Sequence, residues 1–290
     1  MRELITAIVT PMLENCEIDY HSMKRLIEQQ IEDKVTGIVI LGSTGEGASI
    51  KNNEKLQLIE FAVNIVNKRI KLIVGLNYLN TQDYLDFITE LNNIKNIDAL
   101  LVSIPGYVKP TQSGIYQHFK VITEKSKHNI ILYDVPSRTI IGITDEVIIK
   151  LANSNLIKIK GIKDATGNID RLDALKSKCP AGFKFYSGDD FTALKFMIRG
   201  GDGVISVAGN VVAKKLITMI NNIDISGGEL VLEQDKSLIP LYKFLFIESN
   251  PIPVKWGLYK MGIISFPNLR LPLTELSSSL QQEYSDLFKI

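Results

Sequence analysis

Eight short apolar runs recur along the chain at nearly even spacing, and this recurrence restricts the fold more than any other feature. They occupy residues 5–10, 37–43, 71–77, 99–105, 129–136, 159–166, 184–190 and 203–209. Start to start they lie 32, 34, 28, 30, 30, 25 and 19 residues apart. Several are almost wholly apolar, such as Gly-Ile-Val-Ile-Leu-Gly (37–42) and Ala-Leu-Leu-Val-Ser-Ile (99–104). Strands covered on both faces read this way, whereas half-exposed strands alternate. Between the runs lie helical stripes. Asp19 is an N-cap candidate ahead of Met23, Leu26, Ile27 and Ile31, with Gly37 closing the turn. Leu56, Ile59 and Val63 form a second stripe, and Tyr84, Phe87, Ile88 and Leu91 a third.

A repeat of this length is one strand plus the crossover helix that a parallel neighbour requires. Eight such units, with no glycine-rich dinucleotide fingerprint after the first strand, predict a (β/α)8 TIM barrel rather than a doubly wound sheet. The last strand ends early for a chain of 290 residues. Residues 225–290 are therefore read as a C-terminal helical extension, with stripes at 230–246, 253–261 and 273–287, packed on a catalytic barrel of residues 1–224. No low-complexity linker separates the two.

Charge excludes some classes of partner. With 33 basic and 32 acidic residues the chain has no general attraction to nucleic acid or anionic membrane. No run approaches the roughly 18–20 apolar residues that span a bilayer, and the amino terminus has no signal-peptide pattern. A soluble cytoplasmic protein is expected. Cys16 and Cys179 are too few for a disulfide framework, and His21, His118 and His128 are scattered. A structural zinc site is not expected, and a Schiff-base lysine, itself the electron sink, would need no metal or organic cofactor.

Barrel chemistry collects at the carboxyl ends of the strands. Lys163 stands out there, inside Ile-Lys-Gly-Ile-Lys-Asp-Ala-Thr-Gly (159–167). Burial disfavours an ammonium, and a free amine beside a carbonyl makes a Schiff base. The alternative is a strand-end ion pair with Asp164. Ser43 and Thr44 sit in a glycine-rich turn, Leu-Gly-Ser-Thr-Gly-Glu-Gly (41–47), whose amides and hydroxyls suit a carboxylate. Run four ends near Tyr107, and run five ends in Tyr-Asp-Val-Pro-Ser-Arg-Thr (133–139). Tyr133 could equally be a core tyrosine, and Arg138 either a carboxylate fork or a solvated ion-pair partner. One lysine with hydroxyls, a tyrosine and an arginine at successive strand ends describes a keto-acid site.

The motifs Gly-Ser-Thr-Gly-Glu (42–46), Tyr-Asp-Val-Pro-Ser-Arg-Thr (133–139), Gly-Ile-Lys-Asp-Ala-Thr-Gly (161–167), Ser-Gly-Asp-Asp (187–190) and Gly-Val-Ile-Ser-Val (203–207) occur in order over nearly the whole chain. As a set they resemble the dihydrodipicolinate synthase / N-acetylneuraminate lyase family, pyruvate-dependent class I aldolase-type enzymes. Val-Pro-Ser-Arg-Thr after the tyrosine is similar to the synthase branch. The resemblance implies that Lys163 forms the Schiff base with pyruvate and that Tyr133 moves protons, in a hydroxyl relay with Ser43 and Tyr107. It also implies that Thr44, Gly188 and Ile205 line the pyruvate pocket, the last two through backbone groups. Arg138 would hold the carboxylate of L-aspartate-4-semialdehyde, and the product would be 4-hydroxy-tetrahydrodipicolinate, of the diaminopimelate route to lysine. A sister aldolase acting on N-acetylneuraminate or a sugar keto acid is the competing implication. Tyr107 would come from a neighbouring subunit, implying a homo-oligomer, with a dimer of dimers usual in the family.

Some positions depart from the family pattern. Ser43 stands where threonine is common, and Asp134 where asparagine is common. Gly106 replaces a frequent tyrosine, while Lys55 stands where lysine-inhibited relatives carry histidine. Asp83 stands near their glutamate position. A cation at 55 and no aromatic at 106 imply weak or absent feedback inhibition by lysine.

Overall fold

The computed structural model describes residues 2–225 and 228–288. Eight parallel strands close on themselves in chain order. The first half runs β1 Glu3–Ala7, α1 Tyr20–Glu32, β2 Gly37–Ile40, α2 Asn52–Val66, β3 Lys71–Leu76, α3 Thr81–Leu91, β4 Ala99–Ser103 and α4 Gln112–Lys125. The second runs β5 Asn129–Asp134, α5 Pro136–Thr139, α6 Asp145–Ala152, β6 Ile159–Asp164, α7 Asp170–Lys176, β7 Lys184–Ser187, α8 Ala193–Ile198, β8 Gly203–Ser206 and α9 Gly209–Asn222. Helices α10 Gly228–Lys236, α11 Ile239–Leu245, α12 Ile252–Lys260 and α13 Ser278–Glu283 follow. The predicted (β/α)8 barrel with C-terminal helices is thus the observed architecture.

Closure comes from β1 pairing with both β2 and β8, with Ile5 opposite Gly37 on one side and Ile205 on the other. Each strand ends one to three residues before its apolar run does. The residues that continue each apolar pattern lie beyond the ladder, on the carboxyl side of the strands. Two apolar compartments result. A small one fills the barrel interior with Ile5, Val39, Ile73, Leu101, Ile131 and Ile205. The larger one lies between strands and helices.

The helical stripes are partly corrected. Asp19 caps α1 as read, its carboxylate accepting from the Ser22 amide at 2.9 Å. Gly37 opens β2 instead of closing the turn, which Lys34 makes in the left-handed region (φ 63°). In α2 the buried face is Lys55, Leu58, Ile59, Ala62 and Val66, so Leu56 and Val63 lie at its margin. The stripe at 230–246 splits into α10 and α11, with Pro240 in the first turn of α11, where a missing N–H is tolerated. Residues 273–277 are not helical.

A polar knot within the core makes stability pH-dependent. The His118 imidazole is buried, hydrogen-bonded to Thr81 Oγ1 at 2.9 Å and set edge-on to Tyr84. Burial pushes its pKa down to about 4, against a backbone contact to Ser103. Below its ordinary value of 6.5 the unfolded chain therefore binds a proton that the native state refuses. The contribution of neutral His118 is complete above that value and declines as the pH falls toward 4. Urea unfolding of wild type and His118→Gln at pH 7 and 4.5 should show wild type losing about 2–3 kcal/mol more than the variant over this interval.

Candidate active site

The register of β5 against β6 builds the centre of the site. Tyr133 pairs with Lys163, and both side chains point into the barrel because alternate residues of a strand face opposite sides. Both are buried, and the Lys163 Nζ lies 4.5 Å from the centroid of the Tyr133 ring. The strand-end ion pair that competed with this reading is absent. Asp164 faces the helical layer, where Arg171 Nη1 reaches its carboxylate at 3.1 Å. Among the described residues Lys163 has no carboxylate partner. Gly188 explains how so little room is left around the amine. A Cβ there would stand 2.9 Å from Lys163 Cε and 2.7 Å from Ala165 Cβ. Its amide donates to the Asp164 carbonyl at 2.6 Å, which holds the glycine against the lysine.

Two adjoining hollows open at the carboxyl rim. One, of about 450 Å3, is lined by Lys163, Tyr133, Ser43, Thr44, Gly188 and Arg138, with Asp189 and Val207. The other, of about 550 Å3, shares Ser43, Tyr133 and Arg138 and adds Tyr107. The structure therefore brings together seven of the eight singled-out residues. Ile205 lies apart from the hollows, in the apolar barrel interior beside Tyr133, and Val207 supplies the wall from the end of the eighth run. Among the described residues no hydrogen bond joins the hydroxyls of Ser43, Tyr133 and Tyr107. Tyr107 is 85% exposed at the mouth. The loop carrying it presses on α5, and a Cβ on Gly106 would sit 2.6 Å from Thr139 Cα. Packing thus accounts for glycine at that position.

The loop after β2 is held from outside the barrel. Glu46 adopts a left-handed conformation (φ 53°), and its carboxylate is wholly buried against the ammonium of Lys255 on α12 at 2.6 Å. The second Glu46 oxygen accepts the Arg270 amide at 3.0 Å. Burial drives the Lys255 pKa down, opposed by Glu46. Thr44 Oγ1 accepts from the Asn250 carboxamide at 2.9 Å, while the Asn250 carbonyl accepts from Arg138 Nη2 at 2.9 Å. The Asn250 Oδ1 is buried without a partner among the described residues, and its residue lines both hollows. Asp190, wholly enclosed, accepts from Ser206 Oγ and from the amides of Val207 and Ala208, fixing the turn after β8. Burial raises its pKa, against those hydrogen bonds.

Lys55 occupies a position that its sequence did not reveal. It is buried, with its ammonium 4.1 Å over the Tyr78 ring, and burial lowers its pKa to about 8 against the pull of Asp83.

Among the described residues, a lysine without a carboxylate partner faces a tyrosine at the mouth of a closed barrel, and comparison of the whole chain with known proteins gives its family. The dihydrodipicolinate synthetase family model matches residues 1–290. The chain belongs to that family. It is 43% identical to a 4-hydroxy-tetrahydrodipicolinate synthase of Coxiella burnetii, over 94% of this chain and 92% of that one. It is 41% identical to the Rickettsia bellii protein of the same name, over 98% and 95% of the two chains. A dihydrodipicolinate synthase of Acinetobacter baumannii, solved with pyruvate, superposes with a TM-score of 0.93 at 36% identity, covering 98% of this chain and 97% of that one. Membership agrees with the motifs that carried the resemblance, and the chain is an enzyme of the lyase class. Among the described residues no helix is long and apolar enough to cross a membrane.

Asn250, Lys255 and Glu46 were given no role by sequence reasoning. Lys255 carried the signal that singled out Lys163, a lysine among apolar neighbours (Val254, Trp256, Leu258), but with no strand end to mark it. Lys255→Met leaves the Glu46 carboxylate buried and short of its cation. Urea unfolding should show a loss of about 3–5 kcal/mol, whereas Glu46→Gln with Lys255→Met should recover part of it.

Proposed function

We propose that the chain condenses pyruvate with L-aspartate-4-semialdehyde to 4-hydroxy-tetrahydrodipicolinate, with Lys163 as the Schiff-base nucleophile. The observation that carries this reading is the buried Lys163 amine, without a carboxylate partner among the described residues and facing Tyr133 across β5 and β6. Family membership supplies the substrates.

In this reading Lys163 Nζ attacks the pyruvate C2 carbonyl, and water leaves to give an iminium. The iminium draws electrons from the adjoining methyl group, whose proton departs to leave an enamine. The enamine carbon bonds to the aldehyde carbon of the second substrate. Its amino group then adds to C2 and displaces Lys163, which closes the ring and regenerates the amine. Tyr133, with Ser43 and Tyr107, carries the protons that these steps release and consume. Thr44, Gly188 and the wall formed by Val207 hold pyruvate. Arg138, at the junction of both hollows, takes the carboxylate of the aldehyde substrate, and the unpartnered Asn250 Oδ1 accepts a hydrogen bond from its ammonium. The aldehyde half of N-acetylneuraminate or of a sugar keto acid is a neutral polyhydroxylated sugar with no carboxylate for the arginine fork, which favours the semialdehyde.

Leu79, Tyr107 and Ile140 line the larger hollow, and together with Val108 they are more than half exposed. This apolar rim supports a second copy of the chain across the mouth, with each Tyr107 completing its neighbour's relay. A homo-oligomer, of dimers or paired dimers, follows.

Borohydride added with pyruvate should raise the mass at Lys163 by one reduced pyruvate adduct, and Lys163→Ala should take up none. Tyr133→Phe should keep its fold by circular dichroism and lose roughly 100-fold or more in kcat; full turnover would remove Tyr133 from proton transfer. Arg138→Ala should raise KM for the semialdehyde by roughly 100-fold and leave the pyruvate labelling unchanged. With Lys55 buried over Tyr78, a second ammonium meets like charge, so sub-millimolar lysine should leave turnover unchanged. Strong inhibition there would contradict the role given to Lys55.

A further inference from the structure

The residues that follow the reacting pair form a second matched pair. Asp134 lies opposite Asp164 in the same register that sets Tyr133 opposite Lys163. Alternation along the strands sends these two carboxylates away from the barrel interior, into the layer of helices. There Arg171, in the first turn of α7, spans them. Its Nη1 donates to Asp134 Oδ2 at 2.8 Å and to Asp164 Oδ2 at 3.1 Å. The other donors are also engaged, Nε with Asp145 at 2.9 Å and Nη2 with the Ile143 carbonyl at 2.9 Å.

The remaining oxygens of the two aspartates are occupied as well. Asp134 Oδ1 accepts from the Ile143 amide, and Asp164 Oδ1 accepts from the amide and hydroxyl of Thr166. Backbone bonds extend the same unit, from the Ala165 amide to the Asp134 carbonyl and from the Gly188 amide to the Asp164 carbonyl. One guanidinium thus ties the carboxyl ends of two strands together directly behind the lysine and the tyrosine.

The β5–β6 ladder needs such a tie. Its register shifts between Ile130 and Ile131, so that Ile130 faces Ile159 while Ile131 faces Gly161. An irregularity of this kind weakens the ladder's own hold on register, and a slip of one residue turns each side chain to the opposite face. Arg171 clasps the strands beyond the irregularity, at the level where Tyr133 must meet Lys163. Its fork suits the task, since Nη1 serves both strand carboxylates while Nε and Nη2 anchor the same rigid plane to Asp145 and the Ile143 carbonyl, which a point charge could not do.

We propose that Arg171 is a positioning residue for the Lys163–Tyr133 pair, acting through Asp134 and Asp164. The proposal rests on the assignment of Lys163 and Tyr133 as the reacting pair. Asp134, where the family commonly has asparagine, gains a physical role here, because its two oxygens serve Arg171 and Ile143 at once.

The test compares wild type with Arg171→Gln and Arg171→Lys, counting active sites by borohydride-reduced pyruvate adduct and reporting turnover per labelled site. In Arg171→Gln, turnover per labelled site should fall at least roughly tenfold while KM for pyruvate stays within about threefold, the pattern of misplaced groups rather than lost binding. Arg171→Lys keeps the charge without the fork. It should recover most of the thermal midpoint that glutamine loses, yet remain at least roughly fivefold down in turnover per site. If lysine restores turnover along with the midpoint, or if turnover per labelled site is unchanged in both variants, Arg171 is only a structural ion-pair partner. Absence of any adduct on Lys163 in wild type would overturn the assignment of the pair and the role of Arg171 with it.

Discussion

Hydrogen bonding between β1 and β8 closes the sheet, and every functional feature of the chain depends on that closure. A closed cylinder has no edge strand, so all eight carboxyl ends share one rim, and residues that point inward leave water. An amine on β6 of an open sheet would still have to be covered. Here the barrel covers it, with the Tyr133 ring 4.5 Å away and Ser43, Thr44 and Arg138 lining the same hollow. The Tyr133 ring beside Lys163 is a direct consequence of two adjacent parallel strands in register.

Around this centre the protein uses buried charge to hold conformation. Glu46 and Lys255 are fully enclosed, joining the loop that carries Ser43 and Thr44 to a helix beyond the barrel. Arg171 faces three carboxylates on the opposite side of the β5–β6 pair. Such ion pairs add little net stability, because removing each charge from water costs about as much as the pairing returns. Their effect is directional. A loop free to choose among conformations with similar energies has one in which the buried carboxylate finds its cation. The helices that follow the eighth strand are therefore coupled to the site, and Asn250 connects Thr44 to Arg138 from that same region.

The parts of the site legible in the chain's order are those that sit on strand ends. Lys163 follows an apolar run, and Tyr133, Ser43 and Arg138 follow others, so counting strands places them at one rim. Even the stripe that read incorrectly is informative. The stripe Leu56, Ile59 and Val63 shares only Ile59 with the buried face of α2, which Leu58, Ala62 and Val66 complete, and Lys55 on that face lies over the Tyr78 and Phe87 rings. Ile205, which the resemblance put at the pocket through its backbone, has its side chain in the apolar barrel interior, while Val207 on the same run lines the hollow. Asn250 and Lys255 meet their partners across 206 and 209 residues of sequence, and nothing local marks either contact.

The amino-acid order alone determined the barrel, since alternating apolar runs and helical stripes can bury both strand faces in few other ways, and it placed Lys163 at a strand end. Which lysine charges are paired was settled only in three dimensions. Lys255 and Lys163 both lie among apolar neighbours in sequence, but one meets Glu46 and the other meets a phenol ring, and only packing brings those partners within reach. Coulombic and hydrogen-bond energies depend on ångström distances between groups that the chain keeps far apart, so the identity of the free amine belongs to the tertiary structure.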